Sequence, residues 1–424
     1  MKISHLNSLV LCSVFVAGTV QALAAGQICN ARQFGAKGDG ATKDTVAIQA
    51  AIDSCSKSGG GVVKLDGGRF LSAPIVLRDH VTLEIAQGAT LFGSPDHKDY
   101  PPKTEFRSPG LQSLVSATAT VDVAITGGGV IDGNGESWWI EARQFKDAGI
   151  LGSEHTRPRL VVFDHCKHVR VEGVTIQNSP MWQLVPFDSD DVVIRNVRVL
   201  APEHSPNTDA IDPFSSSNVV IDHVYADVGD DDIAIKSGAI NSPGGDLPSK
   251  NIKITNVEFH HGHGLSIGSE IAGGAQNITV EHARFFDTDN GLRIKSNRDR
   301  GNDVSGISFT DIEMKDVKIA LIISEYYPGV LPSGDLVEAP VTRLTPHFHD
   351  ITITGMKATA TKTAGAIAGL PEAPIAGLVL RDVSIQAPQG LTVGYANVIA
   401  EHLEINAASG QAITKLPQAV LTIR

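Results

Sequence analysis

The 424-residue chain carries a formal net charge of −12, 42 glycines and 5% aromatic residues. An acidic balance of this size argues against nucleic acid and anionic membranes as partners. Few rings and many turn-forming residues suit a narrow interior filled by aliphatic side chains rather than a broad globular core.

Residues 1–24 have the pattern of a secretory signal peptide: Lys2, an apolar run over 9–17, and the small residues Ala22 and Ala24 flanking Leu23. The run is shorter than the roughly 20 residues that span a bilayer, and Leu11 precedes Cys12 where a lipoprotein has a small residue. The expectation is an exported protein, extracellular or periplasmic in transit, with no membrane attachment after cleavage. Residues 25–424 are expected to form one elongated domain acting as a monomer.

Export permits disulfides. Cys29 and Cys55 flank an expected helix over 44–55 with Asp44 as its N-cap. A bridge between them would tie the amino-terminal cap to itself, contributing roughly 3–4 kcal/mol by loop entropy. Cys166 is left over and reads as a buried small hydrophobe.

From there a seven-residue pattern recurs: polar, apolar, any, apolar, any, small or polar, apolar. Copies are HVRVEGV at 168–174, DVVIRNV at 191–197, NVVIDHV at 218–224 and NIKITNV at 251–257, with others ending at Ala283, Ile312, Met356 and Val383. From Val174 the final positions advance by 23, 27, 33, 26, 29, 44 and 27 residues. Such spread is too irregular for a helical solenoid. It suits β-coils joined by variable turns, and the 44-residue step implies a long loop. Alternation within each copy has period two, as a strand with one buried face requires. The fold class expected is all-β: a single-stranded right-handed parallel β-helix with an amino-terminal capping helix.

Four polar clusters punctuate these coils: Asn207-Thr208-Asp209, Gly229-Asp230-Asp231, Gly262-His263-Gly264 and Arg293-Ile294-Lys295. Asp209 precedes Asp230 by 21 residues, and 32 residues separate Asp231 from His263 and His263 from Lys295. With one coil per interval, they align on one face. Crowded aspartates raise at least one pKa, so that a protonated carboxyl can stand beside an ionised one, which glycosidic hydrolysis needs. Clustered aspartates also bind calcium or shape turns, and the residues alone leave these three uses open. Arg293 and Lys295, two apart, face the same way.

These clusters resemble the signature of the polygalacturonases, the pectin-cleaving enzymes of glycoside hydrolase family 28. The matching segments are SPNTDAID at 205–212, GDDDIAIK at 229–236, GHGLSIGS at 262–269 and NGLRIK at 290–295. FGAKGDG at 34–40 and GGGVIDG at 127–133 extend the likeness over nearly the whole chain beyond residue 24. Ala210 departs from the family, which has glycine there.

The resemblance implies that Asp230 is the general acid, and that Asp209 and Asp231 position and deprotonate water, with inversion. It implies that His263 hydrogen-bonds near the acid. Arg293 and Lys295 would hold a galacturonate carboxylate, with Asn207 and the groove tyrosine Tyr326 also binding substrate. Polygalacturonate or pectin is the implied partner, with no cofactor and no metal; zinc at His260, His261 and His263 is the weaker reading of that run. A calcium-dependent pectate lyase and a non-catalytic polysaccharide-binding β-helix are the alternatives. Short segments between motifs favour endo action, with 327–348 the stretch that could wall off a subsite in an exo enzyme.

Overall fold

The computed structural model describes residues 27–148, 156–332 and 337–424. The expected signal peptide lies outside them. The chain winds into a right-handed parallel β-helix whose strands pair almost entirely in parallel; the hairpin Pro102–Glu105/Ser108–Leu111 is the antiparallel exception among the described strands.

The heptad pattern explains the winding. Its first and sixth residues adopt left-handed backbone conformations five positions apart: Asp191 and Asn196, Asn218 and His223, Asn251 and Asn256, Asn277 and His282. Each is a one-residue corner. Asn, Asp and His tolerate this conformation through short polar side chains that bond locally. At the first corner Asn251 donates to Asn218 (3.0 Å) and Asn277 to Asn251 (3.3 Å), so corners on successive coils are stitched together.

Between corners, the second residue of each copy points inward. Val169, Val192, Val219, Ile252, Ile278, Ile307, Ile351 and Leu378 are consecutive ladder partners and all are buried. Burying each such side chain contributes about 1.5–3 kcal/mol. The stack is the core.

Helix Thr45–Lys57 covers the first coil with Ile48, Ala51, Ile52 and Cys55, a buried stripe at helical spacing. Cys29 and Cys55 are joined as a disulfide with Cα atoms 6.0 Å apart. Asp44 does not cap the helix through its side chain. Instead it is buried and accepts from the backbone N–H of Lys37 (2.6 Å) and Gly38 (2.9 Å), so it fixes the preceding loop. A second helix, Glu136–Asp147, follows GGGVIDG and was not expected. Cys166 is buried against Thr120, and burial pushes its thiol pKa up, as suits an inert core residue.

One face carries the functional clusters. Its ladder runs Ile75, Val115, Val161, Leu184, Ile211, Ile233, Leu265, Leu292, Leu321, Gly365, Leu391, Ile413. The expected long loop follows this ladder at Ser324 and returns to the strand His347–Ala368.

Candidate active site

The ladder register fixes the constellation. Two residues before Ile211, Ile233, Leu265 and Leu292 stand Asp209, Asp231, His263 and Asn290; three residues after Ile233 and Leu292 stand Lys236 and Lys295. Strand periodicity therefore brings residues from four coils, more than 80 positions apart in sequence at the extremes, to one patch.

Asp231 is the electrostatic hub. It is buried and accepts from Ser266 Oγ (3.0 Å), Lys295 Nζ (2.9 Å) and the Arg293 guanidinium. Burial opposes its charge, but Arg293, Lys295 and Lys236 hold its pKa far below the usual carboxylate range. Lys295 in turn is lowered by burial and by its cationic neighbours, with Asp231 offsetting part of the loss.

Asp230 behaves differently. Its side chain is 22% exposed against 2% for Asp231 and 4% for Asp209, so it is the carboxylate that opens to the groove. His263 Nδ1 lies 3.1 Å from Asp230 Oδ1, and the Asp231 backbone N–H donates to the same oxygen (2.9 Å). Burial pushes Asp230 up most strongly, yet the His263 hydrogen bond and charge together with Lys295 outweigh it and the pKa falls below normal. Burial pulls His263 down, yet Asp230 raises it. The two form a histidinium–carboxylate pair in the free site.

Asp209 is held the opposite way. Burial first, then Asp230 and Asp212, raise its pKa well above normal, although Lys236 Nζ lies 3.5 Å from its Oδ2. Asp212 is pushed to about 8, chiefly by burial, and neither of its oxygens has a hydrogen-bond partner. Asp209, Asp212, Asp230, Asp231 and Glu270 crowd around Lys236, Arg293 and Lys295, and the surplus negative charge is relieved by protons on Asp209 and Asp212. Carboxyls with raised pKa, Asp209 and Asp212, therefore stand beside carboxyls with lowered pKa, Asp230 and Asp231.

Backbone chemistry sets His263. Gly264 has φ +73°, and a Cβ there would lie 2.0 Å from the Asn290 carbonyl oxygen, so only glycine fits after the histidine. Thr208 Oγ1 bonds the Gly229 N–H (3.1 Å) and Ser205 Oγ (2.7 Å), locking the Asp209 coil to the Asp230 coil. Ala210 is buried in the core, so its methyl points away from the groove.

The structure gives several expected residues further partners. Asn207 does not present its carbonyl to the groove; Oδ1 accepts from buried Arg157 Nη2 (2.7 Å), whose Nη1 also bonds the Pro180 and Pro206 carbonyls, so Asn207 anchors the loop carrying Asp209. Tyr326 donates to the Gly369 carbonyl (2.9 Å). Its neighbour Tyr327 lies nearer the cationic cluster: Lys295 Nζ lies 5.4 Å and the Arg300 guanidinium 5.5 Å from its ring centroid. His260 and His261 bond Glu258 and Asp227, apart from His263. Lys236 and Arg157 were missed as site-building residues. Only the shared register of Lys236 with Lys295 could have revealed the first; nothing local in sequence marks the second.

The glycosyl hydrolases family 28 model matches residues 60–403. The chain belongs to that family. It is therefore a glycoside hydrolase, and its relatives are polygalacturonases. It is 34% identical to an endo-polygalacturonase of Pectobacterium carotovorum subsp. carotovorum over 69% of this chain and 74% of that one. It is 31% identical to a probable polygalacturonase of Vitis vinifera over 83% of this chain and 73% of the relative. Among solved structures, the hyperthermoactive exopolygalacturonase from Thermotoga maritima superposes with a TM-score of 0.77 at 29% identity, covering 91% of this chain and 93% of that one. Family-28 relatives of this chain thus include both endo and exo enzymes.

On the amino-terminal side of the site the groove face changes character. Val162, Val185, Phe187 and Phe214 form an outward apolar patch on the same ladder. The tip of the hairpin formed by Pro102–Glu105 and Ser108–Leu111 lies over it: Phe106 stacks on Phe214 (5.7 Å between ring centroids) and meets Phe187 edge-on (4.7 Å). Arg107 pairs with Asp188 (3.2 Å) and reaches Asp246 (3.0 Å) in the segment that follows strand Ile233–Ser237. Trp182 completes the wall, 5.0 Å from Lys236 Nζ.

Proposed function

We propose that this enzyme is exported and, acting as a monomer, hydrolyses α-1,4-galacturonosidic bonds of polygalacturonate with inversion. The observation that carries the reading is one partly exposed carboxylate, Asp230, set against two buried carboxyls, Asp209 with its pKa raised and Asp231 with its pKa lowered, beside Arg293 and Lys295. Asp230 and His263 share one proton. When the sugar chain displaces water, the charged pair becomes costly, and the proton passes to Asp230 for delivery to the glycosidic oxygen. Asp231 and Asp209 hold the attacking water, and the ionised member takes its proton. Arg293 and Lys295 bind a substrate carboxylate, partly exchanging it for Asp231, and Tyr327 flanks the sugar.

The mode of attack favoured by this geometry is from a chain end, not the endo action that short inter-motif segments suggested. Its support is the hairpin 102–111, which crosses the groove face from Phe106 to the Arg107–Asp246 pair. The expected wall at 327–348 supplies Tyr327 beside the site.

The deciding experiment is a product profile on polygalacturonate. Saturated reducing ends, initial products of inverted anomeric configuration by NMR, monomer or dimer release at nearly constant viscosity, and insensitivity to chelator are expected. Absorbance from unsaturated ends that a chelator abolishes would make it a lyase. Early collapse of viscosity would restore the endo reading. Amino-terminal sequencing of secreted protein should begin near residue 25, and light scattering should give a monomer mass.

A further inference from the structure

A second cluster of potential ligands lies outside the catalytic patch. His347 and His349 open the strand His347–Ala368, two residues apart and so on one side of it. The neighbouring coil places Asp303 opposite His347 and Ser305 opposite His349. His349 Nε2 lies 2.7 Å and His347 Nδ1 3.7 Å from Asp303 Oδ1, and the two imidazole centroids are 4.6 Å apart. One donor atom from each of the three residues lies within 4.8 Å of the others.

The surroundings orient these atoms. Asp350 Oδ2 accepts from His349 Nδ1 (2.7 Å), which directs Nε2 toward Asp303. Gln276 Nε2 (3.1 Å) and Ser305 Oγ (2.7 Å) occupy Asp303 Oδ2, which leaves Oδ1 for a ligand. A carboxylate behind a ligating imidazole, and donors behind a ligating carboxylate, are the outer contacts that metal sites use to fix ligand orientation.

We propose that Asp303 Oδ1, His347 Nδ1 and His349 Nε2 bind a divalent first-row transition ion of the zinc class, with water completing the coordination. Two imidazoles and one carboxylate suit zinc, nickel or copper rather than calcium, which takes oxygen ligands. The distances agree: tetrahedral zinc with bonds of roughly 2.0–2.2 Å separates its donors by about 3.3 Å, between the 2.7 Å and 3.7 Å found here. The two histidine donors, within 4.8 Å of each other, close on the ion by side-chain rotation, which half-buried Asp303 and His349 and exposed His347 leave room for. Binding releases the His349 proton that otherwise bridges to Asp303.

The role is a structural clamp. The long insertion after Ser324, which carries Tyr327, returns to the coil here; Gly301 donates to the Leu344 carbonyl (3.0 Å) and His347 to that of Asn302 (3.0 Å). A metal bridging Asp303 to both histidines would pin the end of that insertion to the preceding coil. It would raise stability by mass action without entering the chemistry.

The test uses full-length protein without a polyhistidine tag, stripped with chelator and titrated with Zn²⁺ by calorimetry. One saturable site of micromolar or tighter affinity is expected, with a rise in Tm that Ca²⁺ at equal concentration does not produce. H347Q alters an exposed side chain and should fold; it should weaken Zn²⁺ binding at least about tenfold, and D303N should do the same. Turnover of stripped wild type at 25 °C should equal that of the loaded protein. Unchanged affinity in both variants would overturn the proposal, as would the absence of saturable binding. Zinc that inhibits turnover and is lost in H263A would place the ion at Asp230–Asp231–His263 instead.

Discussion

Two stretches of the same ladder differ in everything except backbone. Over Val162, Val185 and Phe187 the outward side chains are apolar and covered by Phe106. Two coils on, the outward positions are Asp231, Lys236, Ser266, Arg293 and Lys295. Both stretches share strand register, and their interior ladder residues are aliphatic. What changes is which residues alternate with the buried ones. The scaffold therefore supplies spacing, and the outward residues alone decide whether a coil walls the groove or performs chemistry on its floor.

The contrast is broken most severely at Asp230. Replacing Asp230 with Asn should lower kcat by about 10²–10⁴-fold, as loss of a general acid does, with substrate affinity largely kept. Steady-state kinetics checks this; near-normal kcat would move the acid role to Asp209, whose pKa burial and neighbouring carboxylates raise.

Lys295→Ala should act on binding. It removes a cation that could meet a substrate carboxylate and also loosens Asp231, so KM should rise about thirtyfold, the low end of the ~2–5 kcal/mol for truncating a buried charged pair. The remaining affinity should depend less on salt. An unchanged KM would mean that Lys295 serves Asp231 alone.

Opening the wall sharpens the comparison. The double change Phe106→Ala and Arg107→Ala should leave the catalytic patch intact while longer oligomers appear among the early products by chromatography. A product pattern identical to wild type would mean that the hairpin does not close the groove.

The smallest effect concerns pH. Asp212 has a folded-state pKa raised to about 8, against an unfolded value near 3.9. Between these values the folded state binds more protons than the unfolded one, so stability falls as pH rises across that window. Asp212→Asn should flatten the decline by at most about 1.4 kcal/mol per pH unit, read from urea midpoints between pH 4 and 8. An unaltered slope would show that Asp212 does not carry the effect and that it lies with the other carboxyls raised by burial, Asp209, Asp232 and Glu325.

Most of the fold was legible because the heptad records two constraints at once. Apolar residues mark the interior, and the polar first and sixth residues mark left-handed corners. The candidate site residues fall on one face because the coil period places them there. What failed was local. Tyr326 and Tyr327 are neighbours, and which ring faces the groove depends on the chain path after Ser324. Asn207 lies in a matching motif, yet Arg157, from a distant loop, takes its carbonyl. The protonation order could not be read from residue types, because it follows from burial and from the salt partners that each aspartate finds. The wall at Phe106 escaped because a hairpin reaching across coils leaves no periodic trace.

The paired corners also set rules for how such a chain can change length. From Asp122 and Gly127 to Gly377 and Asp382, they remain five residues apart through successive coils. An added residue between them would turn inward side chains outward, so this span is closed to insertion. The remaining connections vary in length, from short turns to the long excursion before His347. Changes of length are thus confined to connections outside the corner pairs, where they leave the stacked coils, and the candidate site that the register assembles, in place.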